Sequence, residues 1–160
     1  MHSILRGEEG LKAALGRVSS GLYVAGGELD GQRFGMLCSF VEQASFKPPM
    51  ISLAVAPERP LRKVLERGGL FSLNILGATD KKLLAAFAGS AADPFAGFTL
   101  VENGHGLPQL ADALAWLACR SVRSVEAGDH IVYVAEVLEG CLHREEGEPM
   151  IRLRKNGFNY

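Results

Sequence analysis

Residues suited to ligand binding are concentrated between Gly35 and Pro49, where the sequence reads GMLCSFVEQASFKPP. Small side chains at Cys38 and Ser39 allow the backbone to approach a bound molecule closely, and the Ser39 hydroxyl can donate a hydrogen bond. Two prolines end the segment and lead into the apolar run MISLAVA. We therefore predict a loop that holds a flat, phosphate-bearing ligand at the mouth of a β-barrel. The alternative interpretation is an ordinary strand end with a serine in a turn.

A second group of residues could bind the phosphate of such a ligand. Arg59 lies in the turn Pro57–Pro60, and Arg62 and Lys63 follow in a predicted helical turn or two over 59–67. Guanidinium groups and the free N–H groups at a helix start both bind phosphate oxygens. Arg59 is the first choice, whereas a solvated helix face explains Arg62 and Lys63 equally well.

The sequence lacks the motifs of several common enzyme classes. It contains no G-x-S-x-G, no P-loop, no G-x-G-x-x-G and no H-E-x-x-H, and so gives no support to hydrolase or nucleotide-triphosphate chemistry. Wide spacing of the cysteines and histidines predicts neither a disulfide framework nor a metal site. These residues are Cys38, Cys119 and Cys141, and His2, His105, His130 and His143.

Composition indicates one folded domain spanning residues 1–160. Hydrophobic residues make up 48% of the chain and charged residues 22%, values typical of globular proteins. Seventeen Lys and Arg against eighteen Asp and Glu leave a net charge of -1, which disfavours a nucleic-acid partner. The sequence has no signal-type N-terminus and no apolar run long enough to cross a bilayer, so we expect a cytoplasmic protein without a membrane partner.

Turn signals and apolar patterns predict the elements that must position the candidate residues. Asp30-Gly31 between two apolar runs predicts a hairpin, and the turn 126–129 predicts another. Apolar periodicity with a flanking cap or glycine predicts helices at 7–19 and 80–89, the second followed by a loop to about Leu110. The predicted strands are 22–28, 32–39, 50–56, 70–76, 114–125 and 130–142. This order has no βαβ alternation and therefore predicts a mainly β fold with flanking helices, a closed or half-closed antiparallel barrel.

Six short motifs, in the right order between about residue 10 and residue 160, resemble the flavin reductase family. They are Gly35-Met36 with Ser39 and the closing Pro48-Pro49, Leu73-Asn74-Ile75-Leu76, Asp93-Pro94-Phe95, Ala113 to Cys119, Gly128-Asp129-His130, and Arg154-Lys155-Asn156-Gly157. The middle segment and the ending RKNGFNY are most similar to flavoredoxin-like proteins and to the flavin reductase domain of diflavin flavodiiron proteins. One departure is Leu37, where the family commonly has a threonine that hydrogen-bonds near the flavin.

The resemblance implies an FMN-binding split barrel of Greek-key type and a set of site residues. Backbone N–H groups in the segment Met36, Leu37, Cys38, Ser39 and Phe40 would face the isoalloxazine, and Arg59, Arg62 and Lys63 would face the phosphate. Asn74 would lie near the flavin, although a hydrogen bond to the backbone inside the fold accounts for it as well. His130 would reach the flavin or the nicotinamide as the catalytic residue, with an exposed turn histidine as the alternative. Phe158 and Tyr160 would cover the ring unless the tail is disordered.

The implied activity is hydride transfer from NAD(P)H to N5 of FMN, with FAD as an alternative flavin. Reduced flavin would then serve a monooxygenase, a flavodiiron protein or another electron acceptor. A flavoredoxin-like electron carrier with tightly bound FMN is the second hypothesis, favoured if the loop from Phe87 to Leu107 covers the flavin; a binding module without turnover is the third. The resemblance also implies a homodimer, with the LAWLAC strand as a candidate contact and Trp116 in the core or in that contact.

Overall fold

A computed structural model describes residues 4–160 of the chain. In this part the chain forms three helices and nine strands. In chain order they are α1 (Gly7–Leu15), β1 (Ser20–Gly21), β2 (Tyr23–Leu29), β3 (Gln32–Cys38), β4 (Val41–Phe46), β5 (Pro49–Val55), α2 (Pro60–Glu66), β6 (Leu70–Ile75), α3 (Lys81–Ala88), β7 (Ala115–Ala127), β8 (His130–Leu142) and β9 (Ile151–Arg152). His2, one of the candidate histidines, lies outside the described residues. No helix among residues 4–160 has the length and apolar character needed to cross a membrane.

Seven strands form one antiparallel sheet in the order β3-β2-β6-β7-β8-β5-β4. The edge strands β3 and β4 are nevertheless joined by only Ser39 and Phe40, a connection that spans roughly 11 Å at most. The sheet must therefore curl until its two edges meet. Backbone bonds fix the junction, because Val41 N–H donates to Ser39 O over 3.0 Å and Ala54 N–H donates to Phe40 O over 2.9 Å. The sheet order does not pair β3 with β4, and this open seam makes the fold a split barrel, as predicted.

The barrel interior holds one apolar cluster that α2 closes at one end. Leu61, Val64 and Leu65 on α2 are buried against side chains from β2, β4, β5, β6, β7 and β8. Burial of these side chains removes apolar surface from water, the main favourable contribution to folding. The other buried members of this cluster are Ala25, Val41, Ile51, Leu53, Val55, Phe71, Leu73, Cys119, Tyr133 and Ala135.

A second cluster packs outside the barrel beneath α3 and the loop that follows it. It includes Val24 and Leu76 from the sheet side and Leu83 and Phe87 from α3. Phe87 and Phe95 meet edge to face with ring centroids 4.9 Å apart. A Cβ built at Gly35 on β3 would lie 2.6 Å from Phe87 and 2.7 Å from Phe95, so only glycine fits beneath these rings.

The predicted hairpins are confirmed. Asp30 and Gly31 have φ angles of 52° and 79°, as a tight turn between β2 and β3 requires. The long β7–β8 hairpin closes with Ala127 opposite His130, and its turn contains Gly128 at φ 63°.

Several sequence predictions need correction. Helix α1 ends at Leu15 and does not reach Ser19, and the part of the predicted loop that follows the predicted strand 32–39 forms strand β4 (Val41–Phe46). Strand β4 was missed because only Val41 among its side chains is buried and a bulge between Gln43 and Ser45 interrupts the ladder, which removes the apolar alternation. Strands β1 and β9 pair with each other although they lie near opposite ends of the sequence. Each has only two residues, too few for an apolar pattern that would predict a strand.

Candidate functional site

A cavity of about 590 Å³ opens along the seam where β3 and β4 meet. This volume lies within the range of small-molecule and cofactor sites, roughly 300–1,000 Å³. Its wall combines the end of β3, the end of β5, the approach to α2 and the last turn of α3. The lining residues are Leu22, Gly35, Met36, Leu37, Cys38, Ser39, Phe40, Ala54, Val55, Ala56, Arg59, Pro60, Leu84, Phe87, Ala88, Gly89, Arg152 and Tyr160.

The predicted backbone segment forms one wall of this cavity. All five residues from Met36 to Phe40 line it. Because β3 has β2 on one side only, alternate N–H and C=O groups of β3 point away from the ladder towards the seam. An edge strand thus supplies the close backbone approach that the sequence led us to expect of a loop.

Side chains along β3 alternate between the two apolar clusters. Met36 and Cys38 pack against the barrel interior, and Leu37 packs with the cluster beneath α3. Burial raises the pKa of the Cys38 thiol to about 12, so the group stays neutral at physiological pH. Ser39, only 7% exposed, follows at the junction of the strands. Leu37, in place of a hydroxyl-bearing residue, makes this part of the wall apolar.

Two arginines line the cavity, and one of them was missed from the sequence. Arg59 precedes α2, as predicted, and Arg152 comes from β9. Arg62 is instead bound to Glu66 at 2.8 Å and donates to Pro57 O over 3.1 Å, while Lys63 is exposed on α2. The structure therefore brings neither Arg62 nor Lys63 to the cavity. Arg152 escaped prediction because only the β1–β9 pairing carries the C-terminal segment there.

An aromatic cluster stands at the cavity beside Phe40. His130 and Tyr160 lie with their ring centroids 5.6 Å and 5.5 Å from that of Phe40, and the Arg154 guanidinium lies 5.1 Å from the Phe40 ring centroid. His130 Nδ1 is 2.7 Å from the Asp129 carboxylate, and its Nε2 hydrogen-bonds the Tyr160 hydroxyl. The hydrogen bond from His130 holds the pKa of Asp129 below its usual value, and burial raises the pKa of Tyr160.

This cluster revises the placement of the C-terminal aromatic residues. Tyr160 lines the cavity, whereas Phe158 is not among the lining residues and lies beside Lys12, whose ammonium is 5.5 Å from the ring centroid. His130 reaches the cavity wall through Tyr160 and Phe40. The motif Gly128-Asp129-His130 identified His130 as a candidate, but no sequence signal distinguished Tyr160 from Phe158.

Asn74 is fully buried and bonded entirely within the fold. Its amide nitrogen donates to Val24 O at 3.3 Å and to Pro108 O at 3.1 Å, and its oxygen accepts from Leu110 N–H at 2.8 Å. These bonds tie the loop containing Pro108 to strands β2 and β6. The structure thus supports the backbone-bonded interpretation of Asn74 and does not bring its side chain to the cavity.

Trp116 likewise belongs to the core. It is 1% exposed, and its indole N–H donates to Pro108 O over 3.2 Å. Ala115, Ala118 and Cys119 of the same strand are also buried within the chain. The start of β7 is therefore used by the fold itself.

The seven-stranded curled sheet with a cavity at its open seam defines the split-barrel class of ligand-binding domains. The family model of the flavin reductase like domain matches residues 15–158, and the chain belongs to that family.

Individual relatives agree with this assignment. A diflavin flavoprotein of Synechocystis sp. is 36% identical over 155 residues, which cover 94% of this chain and 27% of that protein. The chain thus spans about a quarter of the length of this curated relative. The styrene monooxygenase flavin reductase of Pseudomonas putida superposes with a TM-score of 0.76 at 26% identity, covering 88% of this chain and 90% of the other. The NADH:FAD oxidoreductase of Streptomyces globisporus, in complex with NAD and FAD fragments, superposes with a TM-score of 0.80 at 25% identity, covering 92% of this chain and 88% of the other.

Proposed function

We propose that this domain is an NAD(P)H-dependent flavin reductase that binds FMN in the seam cavity. The observation that carries the proposal is the combination, in one cavity, of an edge-strand backbone, apolar walls and two arginines. A flavin needs all three, because its ring is flat and largely apolar, its N–C=O edge needs hydrogen-bond donors, and its phosphate needs cations. Family membership supports the same ligand.

The residues present fit FMN. Leu37 and Phe87 offer apolar surface for the ring, and the backbone around Ser39 offers donors for its polar edge. Arg59 and Arg152 are the cations available in the wall for a phosphate. FAD remains the alternative flavin, because the Streptomyces globisporus relative is described as an NADH:FAD oxidoreductase in complex with NAD and FAD fragments.

Bound flavin would supply the redox chemistry by accepting, at N5, a hydride from C4 of the nicotinamide. No acid or base of the protein is required for that transfer, so the protein contributes binding and orientation. Asp129 accepts a hydrogen bond from His130 Nδ1–H, which leaves Nε2 free to accept from the Tyr160 hydroxyl. This chain holds the Tyr160 ring against Phe40 at the cavity wall. We therefore assign His130 a positioning role, in place of the catalytic role that the sequence suggested.

The electron-carrier hypothesis depended on the segment from Phe87 to Leu107 covering the flavin. Within the described part of the chain, only Phe87, Ala88 and Gly89 of that segment line the cavity. The buried residues of the loop pack elsewhere: Phe95 lies beneath α3, and Leu107 packs with Trp116. This placement leaves access for a nicotinamide and supports the reductase over the carrier.

We also propose that the domain acts with an electron-accepting partner and as a homodimer. The curated relative is a diflavin flavoprotein, and one structural neighbour is the flavin reductase of a styrene monooxygenase, so either a flavodiiron protein or a monooxygenase suits the product. A dimer contact through the LAWLAC segment, residues 114–119, is disfavoured, because most side chains in this segment are already buried within one chain. Exposed apolar residues such as Val122 and Val125 on β7 are better placed for a contact.

The test is the absorption spectrum of the purified protein with FMN, followed without oxygen after addition of NADH and then NADPH. Catalytic bleaching of the flavin bands would support the reductase and identify its donor. A flavin that binds but ignores both nucleotides would favour the electron carrier. If FMN and FAD both fail to bind, the assignment of the cavity is wrong.

A further inference from the structure

We propose that Cys141, His143 and Gln109 form a second reactive site, at which the Cys141 thiol exchanges with disulfides. Cys141 lies near the C-terminal end of β8, whereas His130 and the cavity lie at its start. The site is therefore separate from the flavin cavity. It does not depend on the function proposed for that cavity.

The three side chains are arranged as a thiol, a base and a donor to both. Cys141 Sγ is 3.2 Å from His143 Nε2. His143 Nδ1 lies 3.0 Å from Ala113 O, and because a carbonyl oxygen can only accept, Nδ1 carries the proton. Nε2 is then left with one lone pair, which the Cys141 thiol at 3.2 Å and the Gln109 amide N–H at 3.1 Å both approach. This is the arrangement by which a histidine activates a cysteine nucleophile.

Gln109 completes the site from the loop before β7. Its side-chain nitrogen is 3.1 Å from Cys141 Sγ and 3.1 Å from His143 Nε2, and the residue is only 6% exposed. An amide this deeply buried needs partners, and these two atoms provide them. When the sulfur becomes negative, the amide N–H and the protonated imidazole can both donate to it.

Proton transfer to His143 is needed because the thiol does not ionise readily by itself. Burial and then the nearby Glu139 carboxylate raise the pKa of Cys141, while the hydrogen bond from Gln109 lowers it. Glu139 is in turn bound by His105 at 3.0 Å. The nucleophile at neutral pH is therefore generated by passing the S–H proton to His143 Nε2.

The exchange step is balanced without any other reactant. The Cys141 proton moves to His143, and the sulfur attacks one sulfur of the incoming disulfide. A new S–S bond forms as the old one breaks, and the departing thiolate takes the proton from His143 and leaves as a thiol. The Cys141 sulfur passes from the thiol to the disulfide level and the departing sulfur passes from the disulfide to the thiol level, so the number of S–S bonds is unchanged and no outside oxidant is needed.

The other two cysteines provide an internal contrast. Cys38 is half-buried between the barrel interior and the cavity, Cys119 is fully buried, and burial raises the pKa of each thiol to about 12. Cys141 alone among the three is exposed, and it has a histidine within hydrogen-bonding distance. Modification of the folded protein should therefore be confined to Cys141.

The experiment measures the second-order rate of Cys141 with glutathione disulfide at neutral pH, using intact mass and peptide mapping to locate the mixed disulfide. The variant is His143→Gln, which can still donate to Ala113 O but cannot accept a proton. We expect it to react at least about tenfold more slowly, the lower range of general-base catalysis. The matched control is His105→Gln, which removes a nearby histidine that does not touch the sulfur, and it should react within about twofold of the natural chain.

A second comparison needs no variant. With a raised pKa and no base, Cys141 would react more slowly in the folded protein than in the same chain unfolded in denaturant. The proposal predicts the reverse order. Slower reaction in the folded chain, or an unchanged rate in folded His143→Gln protein, would show that Cys141 is merely an exposed thiol and would overturn the proposal.

Discussion

Ser39 occupies the point where the two edges of the barrel meet. It is buried, lines the cavity and separates β3 from the residue at which β4 begins to pair. A small hydroxyl at this point leaves room for a ligand close to the backbone. The Cys38 thiol at the end of β3 stays protonated and the positive charge of Arg59 acts on it, so this part of the cavity suits an electron-rich ring or a phosphate better than a cation.

Replacement of Ser39 by a charged residue should weaken flavin binding without unfolding the protein. In Ser39→Asp, a carboxylate would stand beside an anionic ligand in a partly desolvated cavity, and we expect the FMN dissociation constant to rise at least about tenfold. Titration of flavin fluorescence measures the dissociation constant. The control is Ser39→Asn, because asparagine is nearly identical in size to aspartate and carries no charge. Equal FMN binding by both variants would place the flavin away from Ser39.

Residue type alone was least informative for polar side chains that could bind either a ligand or another group of the protein. For Asn74 the sequence left a position near the flavin and a hydrogen bond to the backbone both open, and in the structure its three hydrogen bonds hold the Pro108 loop against the barrel. For Arg62 the sequence left a phosphate contact and a solvated helix face equally open, and in the structure Glu66, one turn further along α2, binds it. Sequence indicated correctly that an asparagine in an apolar strand must have partners, but the choice of partner depends on a loop 34 residues away.

At the scale of elements, β3 and α3 form the cavity wall together. Gly35 allows α3 and its loop to approach β3, because Phe87 and Phe95 occupy the space that a side chain would fill. Phe87 also lines the cavity, so the packing of α3 on β3 sets the width of the ligand site.

Gly35→Ala should therefore affect stability and binding together. The added methyl group would have to displace two aromatic rings, and overpacking of this kind costs about 1–3 kcal/mol in the free energy of unfolding. FMN affinity should fall as Phe87 moves. Gly104→Ala is a suitable control, since a Cβ there would meet no atom within 4 Å. Denaturant unfolding measures the free energy of unfolding of both variants. Equal values would show that the two rings can shift without loss of stability.

At the scale of the whole molecule, the barrel interior is dry enough to hold thiols neutral. Cys119 is fully buried in the interior cluster, and its pKa is raised from 9.0 to about 12. In the unfolded chain the same thiol loses its proton near pH 9.0, the ordinary value. A group whose pKa is raised by folding stabilises the protein below the unfolded pKa, and that stabilisation is lost as the pH rises towards the folded pKa.

The free energy of unfolding should therefore decline between about pH 9 and pH 11, with Cys119 contributing roughly 1.4 kcal/mol per pH unit. Denaturant unfolding at several pH values measures the decline. Cys119→Ala removes this titration and should flatten the slope by about that amount, apart from a constant loss due to the missing sulfur. Parallel slopes for the two proteins would mean that the buried thiol ionises as easily as the unfolded one.

The sequence by itself determined the elements whose signals are local. Turn residues at positive φ fixed the hairpins, apolar runs indicated β5 and β6, and motif spacing led to the family and to the segment from Met36 to Phe40. These features depend on backbone sterics and on short-range burial, which neighbouring residues encode.

Only the tertiary structure decided which distant residues meet at the seam. Curling of the sheet brings β3 to β4, and the pairing of β1 with β9 carries Arg152 to the cavity. It also decided that Tyr160 faces the cavity while Phe158 lies beside Lys12, and that Cys141 meets His143 and Gln109. Such contacts follow from the closure of a whole sheet, a property of many strand pairings at once, and no local pattern of residue types records them.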